Sequence, residues 1–360
     1  MMDQLSAQTR ISDAAIRSVM DRLRAEHSEF EIDTGVADQW ELRLYYGSLS
    51  ATLDDESVLI RVAASDETCL SYMKMTVAGH VAEHLGTTRG IHWQGDGIDA
   101  GMPVFFREIT VMSSTRISAH MQRLRFAGKD LGRFSHGGLH IRLLLPPAGR
   151  QPLWPSMGAD GLIVWPSGDD ALAVRVYTIR ALDAASGWLD VDFVLHSGQE
   201  TPAASFAQNA QAGDVIGMIG PGGGDAPGGP TLLLLGDDTA LPAIGRILED
   251  LPPSTRAEAL IEIDGPDDRM ALAQGDNIDI TWLYRHGREA GTAGLLSTAL
   301  RERNQMALAD GLYVWASCEF GDFWEIRKIV RKQWGLPRDR HLVTAYWRRD
   351  AHSVGEGGED

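Results

Sequence analysis

The chain has 360 residues, 44% apolar and 23% charged, which are the proportions of a soluble globular protein with length for two or three cores. A formal net charge of −17 argues against nucleic acid, whose binding rests on neutralising phosphates, and no run reaches the roughly 18 apolar residues that span a bilayer. Two cysteines, Cys69 and Cys318, make neither a disulfide framework nor a cysteine zinc site, and the start Met1-Met2-Asp3-Gln4-Leu5 lacks a secretory pattern, so the cytoplasm is expected.

Residues 1–90 read as a small α+β module. Ser12 is the expected cap of a helix in which Ile16, Val19, Met20 and Leu23 follow helical spacing. Trp40, Leu42, Leu44 and Tyr46 alternate as in a half-buried strand. A second strand runs from Gly47 to Leu53 and a third from Val58 to Val62, after the turn Asp54-Asp55-Glu56. Leu70, Met73, Val77 and Val81 mark a second helix ending near Gly86. The resulting α-β-β-β-α order, with Met73-Lys74, Val77 and His84-Leu85, resembles a bacterial domain family of unknown function. This segment carries 17 acidic and 8 basic side chains within residues 1–100, so it holds −9 of the total charge.

Residues 87–102, rich in Gly and Asp, read as a linker. From 103 to 226 the chain is strand-rich, with turn signals and few helical periods, as in a closed antiparallel barrel. Pro221 to Pro230 leads into a strand and lacks Lys-Ser/Thr, which makes it a hinge rather than a phosphate loop. Over 230–350 the apolar run Thr231 to Leu235, then Ala259 to Asp264, Ile278 to Leu283, a helix over Leu295 to Arg303 and Leu312 to Ala316 alternate as in a parallel α/β sheet. Residues 351–360 are an acidic, Gly-containing tail.

The segment Arg175-Val176-Tyr177-Thr178-Ile179-Arg180 carries the most chemistry. Residues i and i+2 share a strand face, so Arg175 and Tyr177 can meet one ligand: the guanidinium a diphosphate, the phenol ring an isoalloxazine, with Thr178 adding hydrogen bonds. Taken alone, the hexapeptide fits an edge strand with a surface Arg better, and its surroundings favour the ligand. His80-Val81-Ala82-Glu83-His84 matches the H-x-x-E-H zinc signature, which makes a zinc hydrolase through His80, Glu83 and His84 a remote alternative. Neither G-x-S-x-G nor a P-loop is present.

From about Val104 to Arg348 the chain resembles the siderophore-interacting protein family, FAD-dependent ferric-siderophore reductases of the ferredoxin-reductase superfamily. The resemblance rests, in order, on "RLRFAGKDLGRF" within Ile117 to Gly138, His140-Ile141-Arg142-Leu143 with Leu145-Pro146, "SMGADGLIVWP" from Ser156, and the Arg-x-Tyr-Thr strand. It continues with "DVDFVLHSG" from Asp190, "AGDVIGMIGPGG" from Ala212, "LLLLGDDTALPAIGRILEDLP" from Leu232, "YVWASCE" from Tyr313 and "AYWRR" from Ala345.

The resemblance implies an antiparallel FAD-binding β-barrel followed by an NAD(P)H-binding α/β domain, in which NADH or NADPH reduces FAD and electrons pass to a ferric siderophore. It implies that Arg175, Tyr177 and Thr178 hold FAD, with His196, Thr201, Ala204 and Ser205 near its diphosphate or adenine. The family usually shows Gly-Pro-Ala-Ser and Trp where this chain has Thr201-Pro202-Ala203-Ala204-Ser205-Phe206, and Ala345 stands where Gly is frequent. NAD(P)H is expected across Gly236, Asp237 and Thr239, with Glu319 at the nicotinamide; an ordinary helix cap explains the same turn, and a solvated strand-end carboxylate explains Glu319 equally. Asp264 would favour NADH and Arg269 NADPH. Arg327, Lys328, Arg331 and Lys332, with Tyr346 and Trp347, are candidates for the siderophore pocket, or else a solvated helix face and packing aromatics. The altered 201–206 segment and the acidic surface motivate a rival, a non-enzymatic siderophore- or partner-binding protein on the same fold.

Overall fold

The computed structural model describes residues 4–36, 38–54, 57–98, 101–195, 201–224, 226–303 and 309–349. The chain divides into two compact units, residues 1–106 with 146–172, and residues 107–145 with 173–360.

The first unit is one antiparallel sheet carrying two helices. β1 (Leu5–Ile11) precedes α1 (Ile16–Glu26), and β2 (Glu31–Ile32), β3 (Gln39–Leu44), β4 (Gly47–Leu53) and β5 (Val58–Ala64) lead to α2 (Glu67–Leu85) and the two-residue β6 (Gln94–Gly95). The sheet order is β2-β3-β4-β5-β1-β6. β1 is a strand the sequence reading lacks; its alternation uses Ala7 and Thr9 between Leu5 and Ile11, small residues that give little apolar signal. It lies between β5 and the two-residue edge strand β6. The first helix starts at Ile16, not at Ser12: the Asp13 carboxylate accepts from the Ala15 N–H, and the Asp13 carbonyl accepts from the Ile16 N–H. Ile16, Val19, Met20 and Leu23 do form its buried face, opposite Trp40, Leu42 and Leu49 of the sheet in one core. For α2, Asp66 caps the N-terminus by accepting from Cys69 N–H at 2.9 Å.

The described residues 87–98 of the expected linker are packed chain. Ile91 and Trp93 are buried, and buried Lys74 donates to the carbonyls of Asp96 at 2.6 Å and Gly97 at 2.8 Å, with burial lowering its pKa. Residues 146–172, read from sequence as barrel, also belong here. They contain the two-residue strands β10 (Ser156–Met157) and β11 (Ile163–Val164), and Asp160 accepts from Thr88 Oγ1 at 2.6 Å and, through its carbonyl, from Trp93 Nε1 at 2.8 Å. Strand-like composition alone does not distinguish an excursion between two barrel strands from the barrel itself.

The second unit starts with the barrel: β7 (Phe106–Arg116), β8 (Met121–Gly128), β9 (His140–Leu145), β12 (Ala173–Asp183), β13 (Trp188–Val194), α3 (Pro202–Asn209) and β14 (Val215–Gly222), closed in the order β12-β13-β8-β7-β14-β9. Inward residues such as Leu124, Phe126, Ile141, Leu143, Val191, Phe193 and Met218 fill it. Two cross-strand ion pairs fix the β8–β13 register: Arg123 and Asp192 are directly opposite and bidentate at 2.6 and 2.8 Å, and Arg125 and Asp190 at 2.7 and 2.8 Å.

The α/β part follows with β15 (Thr231–Gly236), α4 (Leu241–Glu249), β16 (Arg256–Ile263), β17 (Ile278–Tyr284), α5 (Leu295–Glu302), β18 (Leu312–Glu319), α6 (Phe320–Lys328) and β19 (His341–Trp347). All pairings are parallel, in the order β17-β16-β15-β18-β19. The run at Leu232–Leu235 is continuous because Leu232 and Leu234 enter the core on one sheet face while Leu233 and Leu235 enter the core on the other. α4 packs on barrel strand β12, where Arg180 makes a bidentate pair with Glu249 at 2.9 and 2.6 Å and Arg246 donates to the Ile179 carbonyl at 3.1 Å.

Candidate active site

β12 pairs with β9 over residues 173–178, but its register with β13 begins only at Ile179. One edge of the Arg175–Thr178 stretch is therefore unpaired with any described strand, an opened seam where backbone N–H and C=O groups are available to a ligand. Arg175 lies opposite Leu143 and Tyr177 opposite Ile141, so the two share one strand face as their spacing requires. The Tyr177 ring leans on Phe193 with centroids 4.4 Å apart, and burial raises its hydroxyl pKa. Arg175 donates to its neighbour's carbonyl, Val174 O, at 2.8 Å, and no carboxylate among the described residues pairs with it, unlike Arg123, Arg125 and Arg180.

The segment at 201–206 is a helix start, not a loop. Thr201 caps α3, its hydroxyl accepting from Ala204 N–H at 3.2 Å. Ala204 is 3% exposed within the barrel core, so its methyl fills space there. Ser205 lies in the first turn, and α3 packs against β8, β9, β12 and β13. His196 lies outside the described residues. An unpaired guanidinium, an aromatic ring, a free strand edge and a helix N-terminus on the same barrel fit the diphosphate and ring system of a flavin nucleotide.

The opposite face of β12 looks toward the α/β part. Buried Thr178 is the register partner of His140, and the His140 ring meets Tyr346 edge-on, with a short Tyr346 Oη···His140 Nε2 hydrogen bond. Gly223 is compulsory beside them: its φ is +81°, and a Cβ would lie 2.3 Å from His140 Nδ1. Burial, aided by Arg246, lowers the His140 pKa to about 4, and burial raises that of Tyr346. The ring is thus neutral at physiological pH. His140 is a site residue the sequence reading quotes only as part of a strand; its signal was a lone His leading an apolar run.

Tyr346 stands at the carboxyl end of β19, beside the crevice where strand order reverses between β15 and β18, the usual ligand position in such sheets. At the β15 end, Gly236 permits close helix packing: a Cβ would lie 2.4 Å from Ala240 Cβ and 2.9 Å from Ile244 Cδ1. Asp237 is a tie between strand ends. Its Oδ1 accepts from Thr239 N–H at 2.9 Å and from the Thr239 hydroxyl; Oδ2 accepts from Glu319 N–H at 3.0 Å and Trp347 Nε1 at 2.8 Å. Glu319 caps α6 by accepting from Gly321 N–H, and accepts from Arg349 N–H at 3.2 Å. The structure thus gathers Gly236, Asp237, Thr239, Glu319, Tyr346 and Trp347 at one end of the sheet, with Asp237 and Glu319 holding backbone in place.

Beneath this end lies a charged group that sequence reasoning missed. Asp238 pairs with Arg285 at 2.7 Å, and Arg285 lies 3.6 Å from Glu262, all three nearly fully buried. Burial, reinforced by nearby carboxylates and only partly offset by Arg285, raises Asp238 to about 6 and Glu262 to about 7. A single Glu inside the apolar run Ala259–Ile263 was the available signal.

The remaining candidates lie elsewhere. Arg327 covers the Phe323 and Trp324 rings, Lys328 sits 4.0 Å from Glu325, and Lys332 is exposed. Arg331 donates to His341, the first residue of β19, about 16 Å of strand before Tyr346. This basic group is therefore not brought to Tyr346 and Trp347. His80 bonds through Nδ1 to Thr76 O at 2.9 Å and through Nε2 to Glu26 at 3.0 Å; with Glu83 and His84 it forms no metal-holding group among the described residues. No helix among the described residues is long and apolar enough to cross a membrane.

Residues 110–225 match the sequence model of the siderophore-interacting FAD-binding domain, and residues 230–350 that of the siderophore-interacting protein domain. The ferric vibriobactin reductase ViuB of Vibrio cholerae is 30% identical over 250 residues, 68% of this chain and 90% of that protein. The chain belongs to the siderophore-interacting protein family. Two solved structures of siderophore-interacting or siderophore-utilisation proteins agree. The siderophore utilization protein from T. fusca has a TM-score of 0.58 at 30% identity, covering 71% of this chain and 98% of that one. SipS from Aeromonas hydrophila has a TM-score of 0.58 at 26% identity, covering 68% and 92%. The two matches together cover the barrel, its excursion at 146–172 and the parallel sheet, and neither reaches residues 1–109.

Proposed function

We propose that this protein is an NADPH-dependent, FAD-mediated ferric-siderophore reductase. The observation that carries the reading is the contact of Tyr346 with His140: it joins the carboxyl end of the α/β sheet to the register partner of Thr178, beside the open seam of β12. Bound there, FAD would accept a hydride from nicotinamide and pass electrons singly to chelated Fe(III). The chain's own part is binding and orientation. Arg175 and the α3 N-terminus would hold the diphosphate, Tyr177 and the free edge at Thr178 would hold the ring system, and neutral His140 gives Tyr346 a hydrogen-bond partner without adding charge. Asp237 keeps the ends of β15, β18 and β19 together so that the nicotinamide crevice has a fixed floor.

NADPH suits the surroundings better than NADH. Arg269 lies over the rings of Tyr284 and Trp282 beside a cavity of about 560 Å³, and no carboxylate among the described residues pairs with it, which leaves its charge for a 2′-phosphate. The departure that motivated a non-enzymatic binding protein loses its force, because Ala204 buries its methyl in the barrel core while its N–H is capped by Thr201.

The visible spectrum of the purified protein, before and after anaerobic NADPH or NADH, tests the reading. Flavin absorption that bleaches with NADPH, followed by reoxidation with a ferric siderophore, is expected. Arg175→Ala should weaken FAD about ten- to a hundredfold, the worth of a charge-assisted hydrogen bond at about 1.5–3 kcal/mol. A protein that takes up no FAD overturns the enzyme and leaves the binding protein.

A further inference from the structure

Between the β7–β8 turn of the barrel and the segment following β16 lies a group of three side chains, which takes in Asp264 and the neighbour of Arg269, Asp268. His120, Asp264 and Asp268 present donor atoms that all fall within 4.8 Å of one another. His120 Nε2 is 3.6 Å from Asp264 Oδ2 and 4.0 Å from Asp268 Oδ2. Each is held from behind. The His120 backbone donates to Ser118 Oγ at 3.1 Å and accepts from Leu195 N–H at 2.8 Å; Asp264 Oδ1 accepts from Gly287 N–H at 2.8 Å, which leaves Oδ2 toward the imidazole; Asp268 closes a tight turn by donating its N–H to the Gly265 carbonyl at 3.1 Å.

Asp268 is the informative member. Its residue is 6% exposed, and its buried Oδ1 has no hydrogen-bond donor among the described residues. A buried carboxylate without a donor is costly, and such groups are paired or bind a cation. An imidazole facing 4.0 Å away is too distant for a hydrogen bond.

We infer that His120, Asp264 and Asp268 form a divalent-cation site. Ligands at about 2.1 Å from a metal stand about 3 Å apart in octahedral and about 3.4 Å apart in tetrahedral geometry, so side-chain movements of an ångström or less complete the set. One imidazole and two carboxylates suit a first-row ion such as Mn²⁺, Fe²⁺ or Zn²⁺, with water in the remaining positions. The side chains at 33% and 28% exposure, His120 and Asp264, give the ion a path from solvent. Because His120 comes from the barrel and both aspartates from the parallel sheet, the ion is a clip between them.

The test needs neither flavin nor turnover. The full chain, stripped with EDTA, is titrated with Mn²⁺ while the electron paramagnetic resonance of free Mn²⁺ is followed. One saturable site per chain is expected, weakened at least tenfold in both His120→Ala and Asp268→Asn. Melting in parallel separates a metal ligand from a structural carboxylate. Mn²⁺ should raise the melting temperature of the wild type and leave both variants unmoved, and in EDTA Asp268→Asn should melt no lower than wild type, since it removes an unpartnered charge. Absence of a saturable site, equal affinity in the variants, or a loss of several degrees by Asp268→Asn in EDTA would overturn the assignment.

Discussion

Glu262→Gln should stabilise this protein at pH 8 and do little near pH 5. Glu262 is 1% exposed, its Oε2 has no hydrogen-bond partner among the described residues, and Arg285 Nη1 stands 3.6 Å away, beyond hydrogen-bonding distance. Burial moves its pKa from 4.5 to about 7. At 1.36 kcal/mol per pKa unit, ionising it in the folded state costs about 3 kcal/mol. The folded carboxyl holds its proton more tightly than the unfolded chain does, so this cost is absent below the unfolded value, grows as pH rises from about 4.5 to 7, and is complete above. Gln mimics the protonated form. The expected gain is about 3 kcal/mol at pH 8, or about 6–12 °C in melting temperature for a unit of this size, against less than about 1 kcal/mol at pH 5. Thermal denaturation of both proteins at the two pH values reads it directly. A destabilised variant at pH 8 would refute the reasoning, because Arg285 would then stabilise the carboxylate by more than burial costs it.

His140 gives a dependence of opposite sign. Its lowered pKa, from 6.5 to about 4, means that the unfolded chain binds the proton first, so stability falls as pH drops through that window. His140→Gln should flatten the acid limb by up to about 3 kcal/mol, measured as unfolding midpoints between pH 7 and pH 4; an unchanged limb counts against a buried neutral ring. Gly236→Ala places a methyl 2.4 Å from Ala240 Cβ and should cost about 1–3 kcal/mol of overpacking. A melting temperature within a degree of wild type would mean that α4 yields more easily than its contacts indicate.

Much of the second unit was legible because its signals are strong and local. Leu232–Leu235 announces a strand buried on two faces, and Arg175 and Tyr177 share a face by strand geometry alone. What escaped depends on which strands become neighbours. Nothing in the sequence states that one edge of β12 meets no described strand before Ile179, that His140 meets a tyrosine 206 residues later, or that Asp237 is consumed by strand ends. The four basic residues after Phe323 illustrate the converse. Arg327 and Lys328 end α6, while Arg331 and Lys332 lie in the π-helical turn Ile329–Gln333 after it, and Arg331 reaches the amino end of β19 rather than its carboxyl end.

The path of the chain has a consequence for how the N-terminal part can be handled or inherited. The backbone passes between the two units three times, at 106–107, 145–146 and 172–173. The first unit is therefore no detachable appendage. Deleting residues 1–106 would leave the excursion at 146–172 behind, with Leu162 stripped of its core and Asp160 without Thr88 and Trp93. A single proteolytic nick at any one crossing would leave the two units covalently joined. Whatever the N-terminal sheet contributes, it is interleaved with the barrel by the order of the gene itself, and a fusion or excision at one junction would not reproduce or remove it.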